Sequence, residues 1–382
     1  MQRINIHPRH NWQKKVEELG FAYHTLNDTY WDESAYYQFS MAQVDELEAA
    51  TTELYDMCLE AVQHVIDHKR YDQLFIPKEF VPLIENSWEE DHPAIYSRFD
   101  LAYDGIHPPK MLEYNADTPT SLFEASIIQW FWLQDINPNA DQFNSIHEKL
   151  IAYWTYLKEY LHPGKLYFAC VKDNMEDLVT TEYLRDCAMQ GTLDTAFIYM
   201  EDIGYYPAQN SFIDLDNQPI QNIFKLYPWE WMVHEEFGPK LLMDTQSTYW
   251  IEPAWKMILS NKGILPILWE LYPYHKNLLP AYFNDLTLKG MGDDYVEKPI
   301  LSREGANIRI VQGGQTTLQT DGDYGEEGFI YQKLNPLPEF DGNYAVIGSW
   351  IVGQEPAGIG IRESNTLITD NTSRFVPHLI SG

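Results

Sequence analysis

Apolar and polar positions along this chain of 382 residues change their period several times, and each period predicts an element. Ser40 and Gln43 stand at capping-box spacing, and Val44, Leu47, Leu54, Cys58, Val62 and Val65 follow near the helical repeat. An amphipathic helix is therefore predicted over about 41–68, with its acidic residues on a solvated face. From Arg98 to Asp104 the residues alternate, Gly105-Ile-His-Pro-Pro109 supplies a turn, and a second extended run reaches from Lys110 to Asn115. That is the pattern of a two-stranded hairpin. Ser121 and Glu124 repeat the capping-box spacing ahead of Ile127, Ile128, Trp130, Phe131 and Leu133, so a helix is predicted to start immediately after the second strand.

Between 141 and 231, short extended runs such as 166–171 and 197–200 alternate with helical ones such as 175–188. This alternation predicts an α/β layer with partly parallel strands. The stretch 250–268 reads as mostly helical despite Pro253 and Gly263. Beyond it, 295–298, 308–312, 328–332, 345–352 and 358–362 are strand candidates separated by Gly and Asp turns, and together they read as one antiparallel sheet. No repeat, low-complexity tract or flexible linker interrupts the chain. One catalytic unit over 1–382 is expected, with a metal-motif and substrate region over about 85–250 and a nucleotide-binding region over about 251–382.

Composition narrows the picture. Cys58, Cys170 and Cys187 are widely spaced and lack a Cys-x-x-Cys pairing, so neither a disulfide framework nor a zinc site is suggested and a reducing compartment fits best. The first 13 residues are polar and no run of ~18 apolar residues occurs, so a soluble, cytoplasmic protein is expected. With 57 acidic and 26 basic residues the net charge is −31, which argues against nucleic acid or anionic lipid as partner. The same charge mildly attracts cations such as polyamines. A homodimer is compatible with these features.

The first chemical constellation is Arg98-x-Asp100 with Glu113-Tyr-Asn115. Residues two apart on a strand share a face, so Glu113 and Asn115 project together and Asp100 joins them from the neighbouring strand. Two carboxylates and an amide oxygen are hard donors suited to magnesium that keeps water and takes substrate phosphates as its other ligands. Arg98 offers a planar donor fork for phosphate or carboxylate, and a helix start near Ser121 would add oriented N–H groups. Taken singly, each residue also fits a surface ion pair.

The second is Tyr295-Val-Glu-Lys298-Pro299 with Ser302-Arg303-Glu-Gly305-Ala-Asn307. A lysine ahead of a small glycine turn can place an ammonium and backbone amides over a polyphosphate, although an ordinary hairpin has the same appearance. Neither Gly-x-x-x-x-Gly-Lys-Ser/Thr nor Gly-x-Gly-x-x-Gly after a strand is present, and Gly-x-Ser-x-Gly and His-Glu-x-x-His are also missing. The third is Gly358-Ile-Gly360-Ile-Arg362-Glu363, where the glycines leave room for a ligand or for a second backbone.

Together with Phe224-Lys-Leu-Tyr-Pro-Trp-Glu230 and Trp255-Lys-Met-Ile-Leu-Ser-Asn-Lys262, these segments make the chain resemble the glutathionylspermidine synthase family over essentially its full length. The closest likeness is to its stand-alone bacterial acid–amine ligases, the synthetase part without the amidase part. The resemblance implies an α/β fold of the ATP-grasp type, preceded by a family-specific α/β region and with its elements in circularly permuted order. It implies ATP and Mg2+ as cofactors and a ligase that forms an amide from a carboxylate and an amine through an acyl phosphate. A glutathione-like peptide and a polyamine-like amine are the implied small-molecule substrates.

Carried over by motif, Asp100, Glu113 and Asn115 would hold the metal, and Arg98 and Arg362 would neutralise charge on the transferred phosphoryl group. Arg98, Phe99, Asp100, Lys262, Lys298, Arg303, Gly305 and Gln332 would contact the nucleotide. Thr118, Thr120 and Glu176 would contact the peptide substrate. Leu226 departs from the polar residue that the family carries there, so substrate choice is open where the reaction class is not. An ATP-binding regulatory relative without ligation, or a metal-dependent phosphohydrolase using Asp100 and Glu113, are the alternatives.

Overall fold

Ser40 opens the long helix Met41–Asp67 in the computed structural model, which describes residues 1–25, 29–244, 248–284, 291–370 and 373–381. The predicted capping box forms. Gln43 N–H donates to Ser40 Oγ, and Ser40 N–H donates to Gln43 Oε1, which satisfies donors that the first turn leaves open. The apolar positions of the sequence pattern are buried along one face of the helix. That face covers a six-stranded sheet, where Thr51 Oγ1 meets Ser349 Oγ at 2.6 Å.

The predicted hairpin is the strand pair Tyr96–Ala102 and Lys110–Asn115, with Asp100 opposite Glu113 and Arg98 opposite Asn115. Its partner comes from the other end of the chain. Tyr96–Ala102 pairs antiparallel with Asn343–Val352, which pairs with Glu355–Ser364, and Arg374–Val376 forms the far edge. Gly348 lies opposite Asp100, and a Cβ there would sit 2.9 Å from Arg98 Cδ. The arginine crosses the strand where no side chain stands.

The expected single C-terminal sheet is in fact two. Ala281–Tyr282, Phe329–Lys333, Tyr295–Pro299, Arg309–Gln312 and Gln315–Gln319 form a separate five-stranded antiparallel sheet. Burial explains the division. Phe329–Lys333 alternates between buried and half-buried positions, as a sheet with one covered face requires, whereas Asn343–Val352 is buried over eight consecutive residues. A strand covered on both faces belongs in the molecule's interior, beside the early hairpin.

The α/β layer is a four-stranded sheet in the order Tyr249–Ile251, Asn222–Leu226, Leu166–Cys170, Thr195–Tyr199, parallel at every pairing rather than partly so. Helix Met175–Gln190 makes a crossover between two of these strands, and Asn174 caps it by accepting from Asp177 N–H at 3.1 Å. Trp250 lies in a strand, against the helical expectation for 250–268. The helical part is two short pieces, Lys256–Leu259 and Ile264–Leu271. Pro253 disfavours the helical conformation for the residue before it and Gly263 weakens the repeat, so helix forms only after each.

The second predicted capping box does not form. Ser121 adopts a left-handed φ of 67°, and Glu124 opens a π-helical turn, Glu124–Ile128, ahead of the helix Gln129–Ile136. The Glu124 side chain turns to the Tyr30 hydroxyl, a partner from a distant segment that outcompetes the local one. Among the described residues no helix is long and apolar enough to cross a membrane, and all three cysteines are buried thiols.

Candidate active site

Asp100 is the centre of the site. Arg98 Nε donates to its Oδ1 at 2.8 Å, Arg362 Nη2 to its Oδ2 at 2.6 Å, and Asn115 Nδ2 lies 3.3 Å from Oδ2. Burial opposes the charge, yet the two guanidiniums outweigh it and hold this carboxyl below the usual carboxylate range. Strand geometry accounts for the cluster: Arg98, Asp100, Glu113 and Asn115 share one face of the hairpin, and Arg362 reaches in from the Glu355–Ser364 strand.

Glu113 faces the lysines. Lys262 Nζ donates to Glu113 Oε1 at 2.8 Å and to the Ser302 carbonyl at 2.7 Å. Lys298 Nζ donates to the Leu112 carbonyl and to Gln332 Oε1, both at 2.8 Å, and Gln332 Nε2 donates to the Met111 carbonyl. Burial pulls the Lys298 ammonium down to about 8, Lys262 adds to the fall, and the Glu113 and Asp100 carboxylates oppose it. Each lysine thus ties the five-stranded sheet, or the turn after it, to the metal-motif hairpin.

Between the two sheets lies a cavity of about 400 Å³. Arg98, Asp100, Glu113, Asn115 and Arg362 form one wall, Lys298 and Gln332 the opposite one, and Thr118, Thr120, Glu176, Arg303 and Gly305 close the side. Arg303 Nη2 donates to Thr118 Oγ1 at 2.6 Å, its Nε pairs with Glu230 at 3.3 Å, and its guanidinium lies 5.4 Å from the Trp231 ring centre. Gly305 has φ of 70°, and a Cβ there would lie 2.6 Å from the Thr369 carbonyl. The turn therefore needs glycine for both conformation and space.

Two of the expected residues stand elsewhere. Phe99 points to the opposite face of its strand, fully buried and stacked on Tyr114 at 4.0 Å, and Lys262 stands behind the cavity wall, bonded to Glu113 and to the Ser302 carbonyl. The space beside Gly358 and Gly360 is taken up by packing, since Cβ atoms there would lie 2.8 Å from the Phe143 carbonyl and 2.6 Å from Phe375 Cζ.

The site also rests on residues that the sequence pattern did not single out for a role. Asp117 is fully buried, accepting from Lys225 Nζ and from Trp229 N–H, both at 2.8 Å, with Lys225 itself buried 4.7 Å from the Trp229 ring centre. This pair fixes the chain between Asn115 and Thr118. On the acidic side, burial raises the carboxyl of Glu176, with Glu304 adding to the rise, and burial together with Glu176 pushes Asp177 up to about 7.

Carboxylate and amide side chains on one sheet face Lys298 and Gln332 of a second sheet across one cavity, with an α/β layer behind them, and this architecture is of the ATP-grasp kind. The fold is shared with a glutathione synthetase-like effector from Globodera pallida, at a TM-score of 0.56 and 11% identity over 90% of this chain and 89% of that one. The chain belongs to the glutathionylspermidine synthase family: the family's preATP-grasp model matches residues 3–381. It is 40% identical over 392 residues to a Haemophilus influenzae protein described as "Putative acid–amine ligase", covering 99% of each chain. Trypanothione synthetase of Crithidia fasciculata is 30% identical over 351 residues, 85% of this chain and 53% of that one. The bifunctional glutathionylspermidine synthetase/amidase of Escherichia coli is 27% identical over 97% of this chain and 63% of its own. This chain therefore spans somewhat over half the length of the latter two.

Proposed function

We propose that the chain uses ATP and magnesium to join a carboxylate to an amine through an acyl phosphate. The single observation that carries this reading is Asp100 held between Arg98 and Arg362, opposite Lys298, on the wall of one cavity. Four charged side chains whose ligands are phosphate and metal converge where a γ-phosphate and a carboxylate would meet.

The donor set fits magnesium. Asp100 and Glu113 are opposed across the hairpin and Asn115 adds an amide oxygen on the same face, while Arg98, Arg362 and Lys262 already satisfy the carboxylates as stand-in cations. Two acids leave coordination positions for water and phosphate oxygens, which magnesium prefers. Bound there, the ion would neutralise charge on the phosphates during transfer. Lys298 and Arg303 are suited to grip the polyphosphate, and the Gly305 turn to cover it.

The substrate carboxylate attacks the γ-phosphate, ADP leaves, and the acyl phosphate is then attacked by the amine. Arg98 and Arg362 face the transferred group and stabilise it by position and charge. Thr118, Thr120, Glu176 and Asp177 form the side wall, where hydroxyls and acids suit a peptide carrying an ammonium and a cationic amine. A glutathione-like peptide and a polyamine-like amine are the first candidates, on the names of the relatives. The test is ADP release from ATP with glutathione and spermidine as probes, followed by a panel of other short peptides and amines. Release that depends on both acid and amine is expected. ADP formation that ignores both would instead indicate a phosphohydrolase, and its retention in Lys298→Ala would sink the ligase reading.

A further inference from the structure

Behind the cavity wall a chain of hydroxyls leads to a carboxyl that the steps above leave unused. Ser121 and Tyr30 line the cavity, and Ser121 Oγ lies 3.0 Å from the Tyr30 hydroxyl. Tyr30 in turn donates to Glu124 Oε1 at 2.7 Å. Glu124 is fully buried, with the Tyr23 hydroxyl beside it as a second neighbour next to Tyr30. A fully buried carboxyl is costly to keep as a purely structural element.

The mouth of this chain is placed beside the phosphoryl centre. Ser121 follows Thr120, whose carbonyl accepts from Arg98 Nη1 at 2.6 Å. Ser121 is also one of the non-glycine residues with a left-handed φ, 67°, and Glu124 begins the π-helical turn. Strained backbone and π turns gather at functional positions, and here they aim Ser121 and Glu124 at the same tyrosine from successive turns.

Resting on the acyl-phosphate reading above, we infer that Glu124 takes the proton of the attacking amine through Tyr30, with Ser121 as the entry to the relay. The amine nitrogen forms its bond to the acyl carbon and becomes cationic. Its proton passes to Ser121 or Tyr30, and the Tyr30 proton moves to Glu124 Oε1, leaving a neutral carboxyl. The C–O bond then breaks, the phosphate leaves with the electron pair, and the stored proton returns to the phosphate or to solvent as the products depart. Glu124 touches no substrate and acts by positioning and charging Tyr30. The charged and titratable groups around it are Tyr23, Tyr30 and Glu176, and burial together with Glu176 pushes its carboxyl up to about 8, near the operating pH as a base should be.

Hydroxylamine arrives uncharged at neutral pH and captures an acyl phosphate without a strong demand for a base, whereas an alkylamine must shed a proton. With glutathione as acid probe, Tyr30→Phe and Glu124→Gln are each expected to lower kcat for spermidine ~10²-fold, in the range of lost base catalysis. Hydroxamate formation should fall far less, and KM for ATP should stay within about twofold of wild type. Equal loss of amide and hydroxamate in both variants would overturn the relay and leave the ligase reading standing. Failure of the wild type to form either product with any acid of the panel of short peptides would overturn the ligase reading itself. If Glu124→Gln does not fold, Tyr30→Phe alone decides, because it keeps the ring and removes only the bridging hydroxyl.

Discussion

Asp100 has three donors and no slack. Replacing it with Asn keeps the shape, removes the charge that we propose faces magnesium and leaves two arginines facing each other across a neutral amide. Asp100→Asn is expected to lower kcat of acid- and amine-dependent ADP release at least ~10²-fold with the fold intact by circular dichroism. Lys298 gives a pH dependence of known sign. Its folded pKa is lowered to about 8, so the ammonium is present below that pH and lost above it. In the free enzyme kcat/KM for ATP should therefore fall as pH rises through about 8, and Lys298→Arg, charged at every accessible pH, should remove that limb. Asp117 and Lys225 act on stability instead. Lys225→Met leaves a buried aspartate with one hydrogen bond, which should cost about 3–5 kcal/mol, read from the urea midpoint at unchanged slope. The shared face of Asp100, Glu113 and Asn115 was legible in sequence because strand alternation places residues two apart on one face. Tyr30 with Glu124, and Asp117 with Lys225, were not, because their contacts join segments roughly a hundred residues apart and no local period records such a pairing.

Elements were legible where one period ran unbroken. The capped helix Met41–Asp67 and the metal-motif hairpin form within two residues of expectation, because each carries both a periodic apolar face and a start signal or turn. Where a distant partner competed, the local signal lost: Glu124 bonds Tyr30 and a π turn replaces the cap, while Pro253 and Gly263 divide a stretch whose apolar content suggested one helix. The Gly305 turn follows from its own sequence. Gly305→Ala should strain a left-handed backbone and push against the Thr369 carbonyl, costing on the order of 1–2 kcal/mol and raising KM for ATP more than it lowers kcat. Steady-state kinetics alongside thermal denaturation check both parts.

At the scale of the molecule, strands before residue 116 and after residue 338 share a sheet, and that sheet with the five-stranded one bounds the cavity. The rough positions of five C-terminal strands could be read from the sequence, but Gln315–Gln319 and the short edge strands, and the division between two sheets, could not. The deciding property is burial on both faces of Asn343–Val352, which emerges only once the helix Met41–Asp67 covers it. We propose that this cavity holds nucleotide and metal together. A crystal structure with a nonhydrolysable ATP analogue and magnesium tests it without requiring the acid or the amine to be known. Magnesium is expected bonded at ~2.0–2.1 Å to oxygens of Asp100, Glu113 and Asn115, with the triphosphate against Lys298 and Arg303. Metal or triphosphate bound away from those residues would contradict it.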